Sequence, residues 1–154
     1  MRIIFFIFLS IFVSSTALAE APGVTLPKVG LLDEQDTEIR LDQRKDTVHI
    51  INFWATWCAP CIHELPSLAK LARHYEGNDR IQLVLVNEDL NYEKSQKFIK
   101  DFDFPAKVLK LFDAQGKYLR AIGDSGLPVT IVSDVNGVIL TYDCLLYTSP
   151  SPRD

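Results

Sequence analysis

Two cysteines separated by two residues, Cys58 and Cys61, are the side chains of this 154-residue sequence best suited to carry chemistry. They follow Val48 to Trp54, a mostly apolar run of β-branched and aromatic residues that is typical of a buried strand. After Cys58, apolar residues recur at three- and four-residue intervals up to Gly77, which predicts a helix. The cysteine pair is therefore expected where a strand leads into the N-terminus of a helix.

A cysteine at a helix N-terminus is a candidate nucleophile, because unpaired N–H groups and the helix dipole stabilise a thiolate. We expect both effects to lower the pKa of the Cys58 thiol below its usual value. Cys61, one helical turn later, is placed to attack a mixed disulfide on Cys58 and to release reduced substrate. Pro60 lies in the first helical turn, where the N–H that it lacks is not needed. The motif predicts thiol–disulfide exchange.

The elements that must position this pair follow an α/β pattern. Ile81 to Val86 is a second apolar run of strand length, and the order strand, helix, strand predicts parallel pairing through a right-handed crossover. Weaker patterns predict two hairpins, one formed by Val29–Leu32 with Glu38–Leu41 and the other by Val129–Ser133 with Val138–Tyr142. They also predict two further helices, from Tyr92 up to Pro105 and over Gly116–Ile122. The expected fold class is α/β with a central mixed sheet flanked by helices.

Three motifs carry a resemblance to a known family. Residues 51–61 read INFWATWCAPC, and they are followed by Glu64-Leu65-Pro66 and later by Gly126-Leu127-Pro128. In these motifs the chain resembles the thioredoxin superfamily, in particular its exported TlpA/ResA/DsbE-like branch, over roughly residues 26–142. The resemblance implies a thioredoxin-like fold with an N-terminal β-hairpin. It also implies protein-disulfide oxidoreductase activity that needs no cofactor.

The resemblance assigns a substrate-binding role to a loop far from the cysteines in sequence. It implies that Pro128 is a cis proline opposite the cysteine pair and that the backbone of Leu127 binds an extended substrate segment as an added strand. From the residues alone, only a turn is indicated there. We also expect Trp57 and Pro60, which lie close to Cys58 in sequence, to contact substrate.

Glu64 is the candidate proton carrier. It matches the acidic residue of the family pattern, where that residue tunes the thiols. At three residues after Cys61 on one helix, it is also placed to exchange protons with a buried thiol. Asn52 stands where thioredoxin itself carries a buried aspartate, which leaves Glu64 as the better candidate. A solvated surface glutamate is the alternative.

The leading functional hypothesis is an exported reductant of protein disulfides. By resemblance its clients would be apocytochrome c or copper-site proteins, and a membrane thiol donor would reduce the pair again. The 16 basic and 20 acidic residues give a formal charge of −4, which argues against a nucleic-acid partner.

The two ends of the sequence differ from the middle. Residues 1–19, with Arg2, an apolar stretch and a final Ala17-Leu18-Ala19, predict a signal peptide and a periplasmic or other extracytoplasmic location; an uncleaved anchor is the alternative. Residues 144–154 resemble a translated sequencing adapter, with a genuine tail as the alternative. The native domain is expected to span residues 20–143, and the resemblance implies that its C-terminal helix is missing.

Other functions remain possible for the same residues. A thiol peroxidase is disfavoured because the Thr-Pro-x-x-Cys arrangement of peroxidatic cysteines is replaced by Thr56-Trp57-Cys58. A copper metallochaperone would use Cys58, Cys61 and His63, but with Cys144 outside the native segment no further cysteine supplies a fourth ligand, and we expect no metal site. A purely structural disulfide would close too small a loop to stabilise the chain much.

One acidic pair follows the second predicted strand. Glu88 and Asp89 are placed where they could line the mouth of the site. The interpretation favoured by sequence is a solvated loop.

Overall fold

The computed structural model describes residues 23–143. The predicted signal peptide, the predicted adapter-like tail and the expected absence of a C-terminal helix lie outside these residues. The strands are β1 Leu31–Leu32, β2 Glu38–Ile39, β3 Val48–Trp54, β4 Ile81–Asn87, β5 Leu109–Phe112, β6 Val129–Ser133 and β7 Ile139–Asp143. The helices are α1 Ala59–His74, α2 Tyr92–Ile99 and α3 Lys117–Ala121, with a short 3-10 helix at Leu41–Gln43.

The seven strands form one mixed sheet in the order β2-β1-β5-β4-β3-β6-β7. Strand β4 pairs in parallel with β3 on one side and with β5 on the other, while the remaining pairs are antiparallel. The predicted α/β class, the parallel β3–β4 pair and both hairpins are confirmed. Since β3 and β4 are parallel, their carboxyl ends lie side by side, and the segments that follow them share one edge of the sheet.

Two hydrophobic clusters cover the two faces of the sheet. One contains Leu65 of α1 and Ile99 of α2 together with Trp54 and both cysteines. The other contains Tyr118 of α3 and residues that alternate with the first set along the strands. Such alternation is what a strand buried on both faces requires. The cysteine pair is therefore held in the core on the α1 side of the sheet.

Several details differ from the sequence prediction, and one is that α2 ends at Ile99 instead of continuing toward Pro105. Strand β5 was not predicted, because Leu109–Phe112 is only four residues long and contains Lys110. Helix α1 ends at His74 rather than continuing to Gly77. The N-terminal hairpin is shorter than predicted, since β1 and β2 contain two residues each. Within residues 23–143, no helix has the length and apolar character that crossing a membrane requires.

Candidate active site

The cysteine pair lies where the sequence placed it, at the N-terminus of α1. Cys58 is the N-cap residue with an extended backbone, and its sulfur accepts a hydrogen bond from the Cys61 N–H at 3.3 Å. The two sulfurs are joined in a disulfide with a Cα–Cα distance of 5.3 Å. Pro60 occupies the start of the helix, as predicted. The N–H groups of the first helical turn are therefore available to stabilise a Cys58 thiolate after reduction.

The two cysteines of the disulfide differ in their exposure to solvent. Cys61 is 1% exposed and Cys58 is 5% exposed, so Cys58 is the more accessible of two buried residues. Trp57, directly before it, is 68% exposed, and Pro60 is also exposed. A large aromatic side chain left in water beside a redox pair is available to contact a polypeptide substrate.

The peptide bond between Leu127 and Pro128 is cis, as the resemblance implied. Pro128 directly precedes β6, which pairs with β3, the strand that leads toward the cysteines. Leu127 is half-buried and packs against the cluster that contains both cysteines. The fold therefore brings the Leu127–Pro128 loop and the cysteine pair to the same core cluster.

Glu64 is half-buried on α1, and its carboxyl group meets Asn52 of β3. The Asn52 side-chain amide donates to the Thr130 hydroxyl at 2.9 Å and lies 3.5 Å from Glu64 Oε2. Asn52 itself is 1% exposed. The interpretation of Glu64 as a freely solvated side chain is therefore wrong, and the carboxyl is adjacent to the residue that replaces the buried aspartate of thioredoxin.

Asp89 anchors the loop that leads to Cys58. Its carboxylate accepts hydrogen bonds from the Thr56 backbone N–H, the Thr56 hydroxyl and the Asn87 side-chain amide, each at 2.8 Å. Asp89 is only 6% exposed, so the favoured prediction of a solvated loop is wrong for this residue. Sequence reasoning missed the anchor because Thr56 and Asp89 lie 33 positions apart and meet only through the parallel pairing of β3 and β4.

Glu88, the neighbour of Asp89, is also not freely solvated. Its Oε1 atom is buried and has no hydrogen-bond partner in the described part of the chain. Burial raises the pKa of Glu88 to about 8, the nearby Asp113 adds to the rise, and Arg120 opposes it. The group is thus a carboxyl held largely protonated near neutral pH at the edge of the sheet that carries the site.

Replacing Glu88 by glutamine is expected to stabilise the chain in alkaline solution. The folded pKa of about 8 exceeds the reference value of 4.5, so the carboxyl's stabilising contribution is complete below pH 4.5 and is lost as the pH rises toward 8. The Glu88→Gln variant should gain roughly 1–2 kcal/mol over the parent at pH 8.5, a figure reduced for partial solvent exposure. Urea denaturation across this pH range measures the gain. A constant difference at all pH values, or an equal gain in the exposed control Glu93→Gln, would contradict the assignment.

His63, the third ligand of the copper alternative, is exposed on α1. Across residues 23–143, no group of three or more His, Cys, Asp or Glu side chains is arranged to hold a metal ion. The geometry thus supplies no argument in favour of a metallochaperone.

Comparison with known proteins agrees with this geometry. The family model described as Redoxin matches residues 21–144. Thiol-disulfide oxidoreductase ResA of Geobacillus thermodenitrificans is 31% identical over 133 residues, which cover 86% of the chain and 74% of the relative. Thiol:disulfide interchange protein HelX of Rhodobacter capsulatus is 36% identical over 82% of the chain and 68% of its own length.

A solved structure extends the likeness to three dimensions. A DsbE-type thiol:disulfide interchange protein from Chlorobium tepidum superimposes with a TM-score of 0.68 at 28% identity, over 78% of this chain and 82% of the other. The thioredoxin-like fold and the resemblance to the ResA/DsbE branch are both confirmed.

Proposed function

Because the chain belongs to the Redoxin family, we propose that it is an extracytoplasmic reductant of protein disulfides. The chain is a thiol–disulfide oxidoreductase of the ResA/DsbE type, with Cys58 and Cys61 as its disulfide pair. To this we add the direction of electron transfer, the role of each residue, the substrates and the location.

The observation that carries the proposal is the disulfide at the start of α1. Cys58 caps the helix and is the more exposed residue of the pair, while Cys61 is more deeply buried and is bonded to it. An attacking thiol must be reachable and stabilised as a thiolate, whereas a resolving thiol needs to reach only its partner. This asymmetry supports Cys58 as the nucleophile and Cys61 as the resolving residue.

The proposed reaction begins with the reduced pair. The Cys58 thiolate attacks one sulfur of a substrate disulfide, so a mixed disulfide forms and the other substrate sulfur leaves as a thiolate that takes up a proton. The Cys61 thiolate then attacks the Cys58 sulfur and expels the second substrate sulfur. Two electrons pass to the substrate, and the Cys58–Cys61 disulfide remains, which is the state seen in the structure. A dithiol donor returns two electrons to the pair.

The proposed site is completed by a set of substrate-binding residues and by one proton carrier. The Leu127 backbone and the exposed Trp57 hold an extended substrate segment across the disulfide, with Pro60 and Pro128 shaping the surface around it. Glu64 takes the Cys61 proton when that thiol must ionise, and its contact with Asn52 supports a fixed position for the carboxyl.

Removing the proton-accepting group of Glu64 should slow turnover. In the Glu64→Gln variant the amide keeps the shape but neither takes nor gives a proton, so reduction of a protein disulfide at pH 7 is expected to fall by about tenfold or more. The measurement is the rate of insulin reduction between pH 6 and 9. The variant's profile should also lose one ionisation. An unchanged pH profile, or the same loss in the exposed neighbour variant His63→Gln, would remove Glu64 from the mechanism.

The location and partners are part of the same proposal. Residues 1–19 would direct export from the cytoplasm, and the electron donor would be a membrane protein that presents a thiol pair. Relatives named for thiol–disulfide exchange support protein disulfides as the substrate class. Within that class we propose apocytochrome c or copper-site proteins as clients, so that the chain serves cytochrome c maturation or similar thiol reduction.

The proposed direction of electron transfer is tested by counting thiols on the chain and on its substrate. Prereduced chain mixed with excess insulin should lose two thiols per molecule while insulin gains two, and peroxide should be consumed no faster than by the Cys58→Ser variant. Rapid peroxide consumption would favour the thiol peroxidase alternative. Copper binding by the reduced chain that depends on both cysteines and is weakened in His63→Ala would favour the metallochaperone.

A further inference from the structure

A groove beside Trp57, the residue that precedes Cys58, is lined by α3 and the loops around it, on the side of the sheet opposite α1. It has a volume of about 250 Å³, and its walls include Trp57, Glu88, Gly116, Arg120, Ser125 and Leu127. Two of these residues, Trp57 and Leu127, also flank the proposed path of the substrate. A side chain of a polypeptide that crosses the disulfide therefore has room to enter the groove.

Two polar groups face the same point in this groove. Gly116 has a left-handed backbone (φ 58°), and a Cβ built on it would lie 3.1 Å from Glu88 Oε2 and 3.0 Å from Arg120 Nη1. Glu88 Oε2 and the Arg120 guanidinium therefore lie close together beside Gly116, with no side chain of residue 116 between them. Both residues also line the groove, so one ligand group in it can approach both.

Glu88 and Arg120 do not form an ion pair with each other. Among residues 23–143, no ion pair joins Glu88 to Arg120, and Glu88 Oε1 is buried without a hydrogen-bond partner. Arg120 is exposed, and one of its guanidinium nitrogens donates a hydrogen bond to the Gln115 carbonyl. Because Glu88 and Arg120 line one groove without an ion pair between them, a ligand there can contact Glu88 Oε2 and the guanidinium together.

We propose that this groove is a specificity subsite that binds the primary amide of an asparagine or glutamine side chain close to the substrate cysteine. The inference rests on the proposed function, because the occupant is part of the polypeptide whose disulfide is reduced. The amide N–H donates to the Glu88 carboxyl, and the amide oxygen accepts from the Arg120 guanidinium.

The chemistry of the groove favours an amide over a charged side chain. A lysine that approaches Glu88 also approaches the like charge of Arg120, and a carboxylate that approaches Arg120 meets the carboxyl of Glu88 with the buried Asp113 behind it. An amide carries a donor and an acceptor side by side and has no net charge. It can pair with Glu88 in either protonation state, since a protonated carboxyl still has an acceptor oxygen.

The test uses the reduced full chain and symmetric disulfide dimers of short peptides, Ala-X-Cys-Ala and Ala-Cys-X-Ala, where X is Gln, Leu, Glu or Lys. The readout is the ratio of kcat/KM for the Gln peptide to that for the Leu peptide, which a general loss of activity does not change. At one of the two positions we expect a ratio of about ten, the effect of two hydrogen bonds.

Variants of the groove should change this ratio in a defined way. Glu88→Ala and Arg120→Ala should bring it close to one, while Glu88→Gln, which keeps an acceptor oxygen in place, should retain most of it. Lys117→Gln, an exposed change at the start of α3, is the matched control and should leave the ratio unchanged.

Three other results would contradict the proposal that the groove binds a side-chain amide. No preference at either position, a preference for Glu or Lys over Gln, or a Gln preference that survives both alanine variants would each do so. If the wild-type chain reduced none of the peptides and no insulin, the proposed function itself would fail, which is a separate result from an absent preference.

Discussion

The Cys58→Ser variant is expected to reduce protein disulfides no faster than buffer does, a loss of roughly a thousandfold or more. Serine keeps the shape of the helix cap, but its hydroxyl does not ionise near neutral pH and forms no mixed disulfide. Cys58 is the more exposed cysteine of the pair, and we expect that the more deeply buried Cys61 does not replace it as nucleophile. All variants are made on a Cys144→Ser background, which removes the third cysteine of the sequence.

The partner variant separates the two roles. Cys61→Ser keeps the nucleophile but lacks the resolving thiol, so it should accumulate a one-to-one disulfide adduct with its substrate. Mass spectrometry of non-reduced samples detects the adduct. Trapping by Cys58→Ser instead of Cys61→Ser would reverse the assignment of nucleophile and resolving residue.

The Asp89→Ala variant is expected to lose about 3 kcal/mol of the free energy of unfolding and most of its activity. Three donors, two on Thr56 and one on Asn87, lose their common acceptor in a buried site. The loop that contains Thr56 leads to Cys58, so its displacement should also misplace the nucleophile. Urea denaturation measures the first effect and insulin reduction the second.

Two milder variants show whether the anchor acts as described. Thr56→Val removes only the hydroxyl bond, and we expect a loss of about 1 kcal/mol. Asp89→Asn keeps one acceptor oxygen, so its loss in the free energy of unfolding should lie between those of Thr56→Val and Asp89→Ala. If Asp89→Ala were as stable as the parent, the buried network would not hold the loop, and its contribution to the site would have to be discarded.

The sequence was informative where a local pattern matched a local structure. The apolar run of β3 and the start of a helix directly after Cys58 are both present as predicted. The cis bond before Pro128 is different, because the residues indicate only a turn and the bond was expected from the resemblance alone.

Contacts made by distant segments could not be read from the pattern. Strand β5 is short and carries Lys110, and it is a strand because β4 and β1 lie on either side of it. Glu88 and Asp89 look alike in sequence. Asp89, however, accepts hydrogen bonds from Thr56, whereas Glu88 faces Asp113 and Arg120. Their roles follow from which neighbours the sheet brings to its carboxyl edge.

The central claim is that electrons leave the Cys58–Cys61 pair for a protein disulfide, and the redox equilibrium of the pair tests it most directly. The full-length Cys144→Ser chain is equilibrated in dithiothreitol and glutathione buffers, and the oxidised fraction is measured after thiol labelling. A reductant that depends on a dedicated donor should have a potential of about −270 mV or lower, near that of thioredoxin. A value near about −120 mV would make the chain a disulfide donor and would contradict the proposed direction.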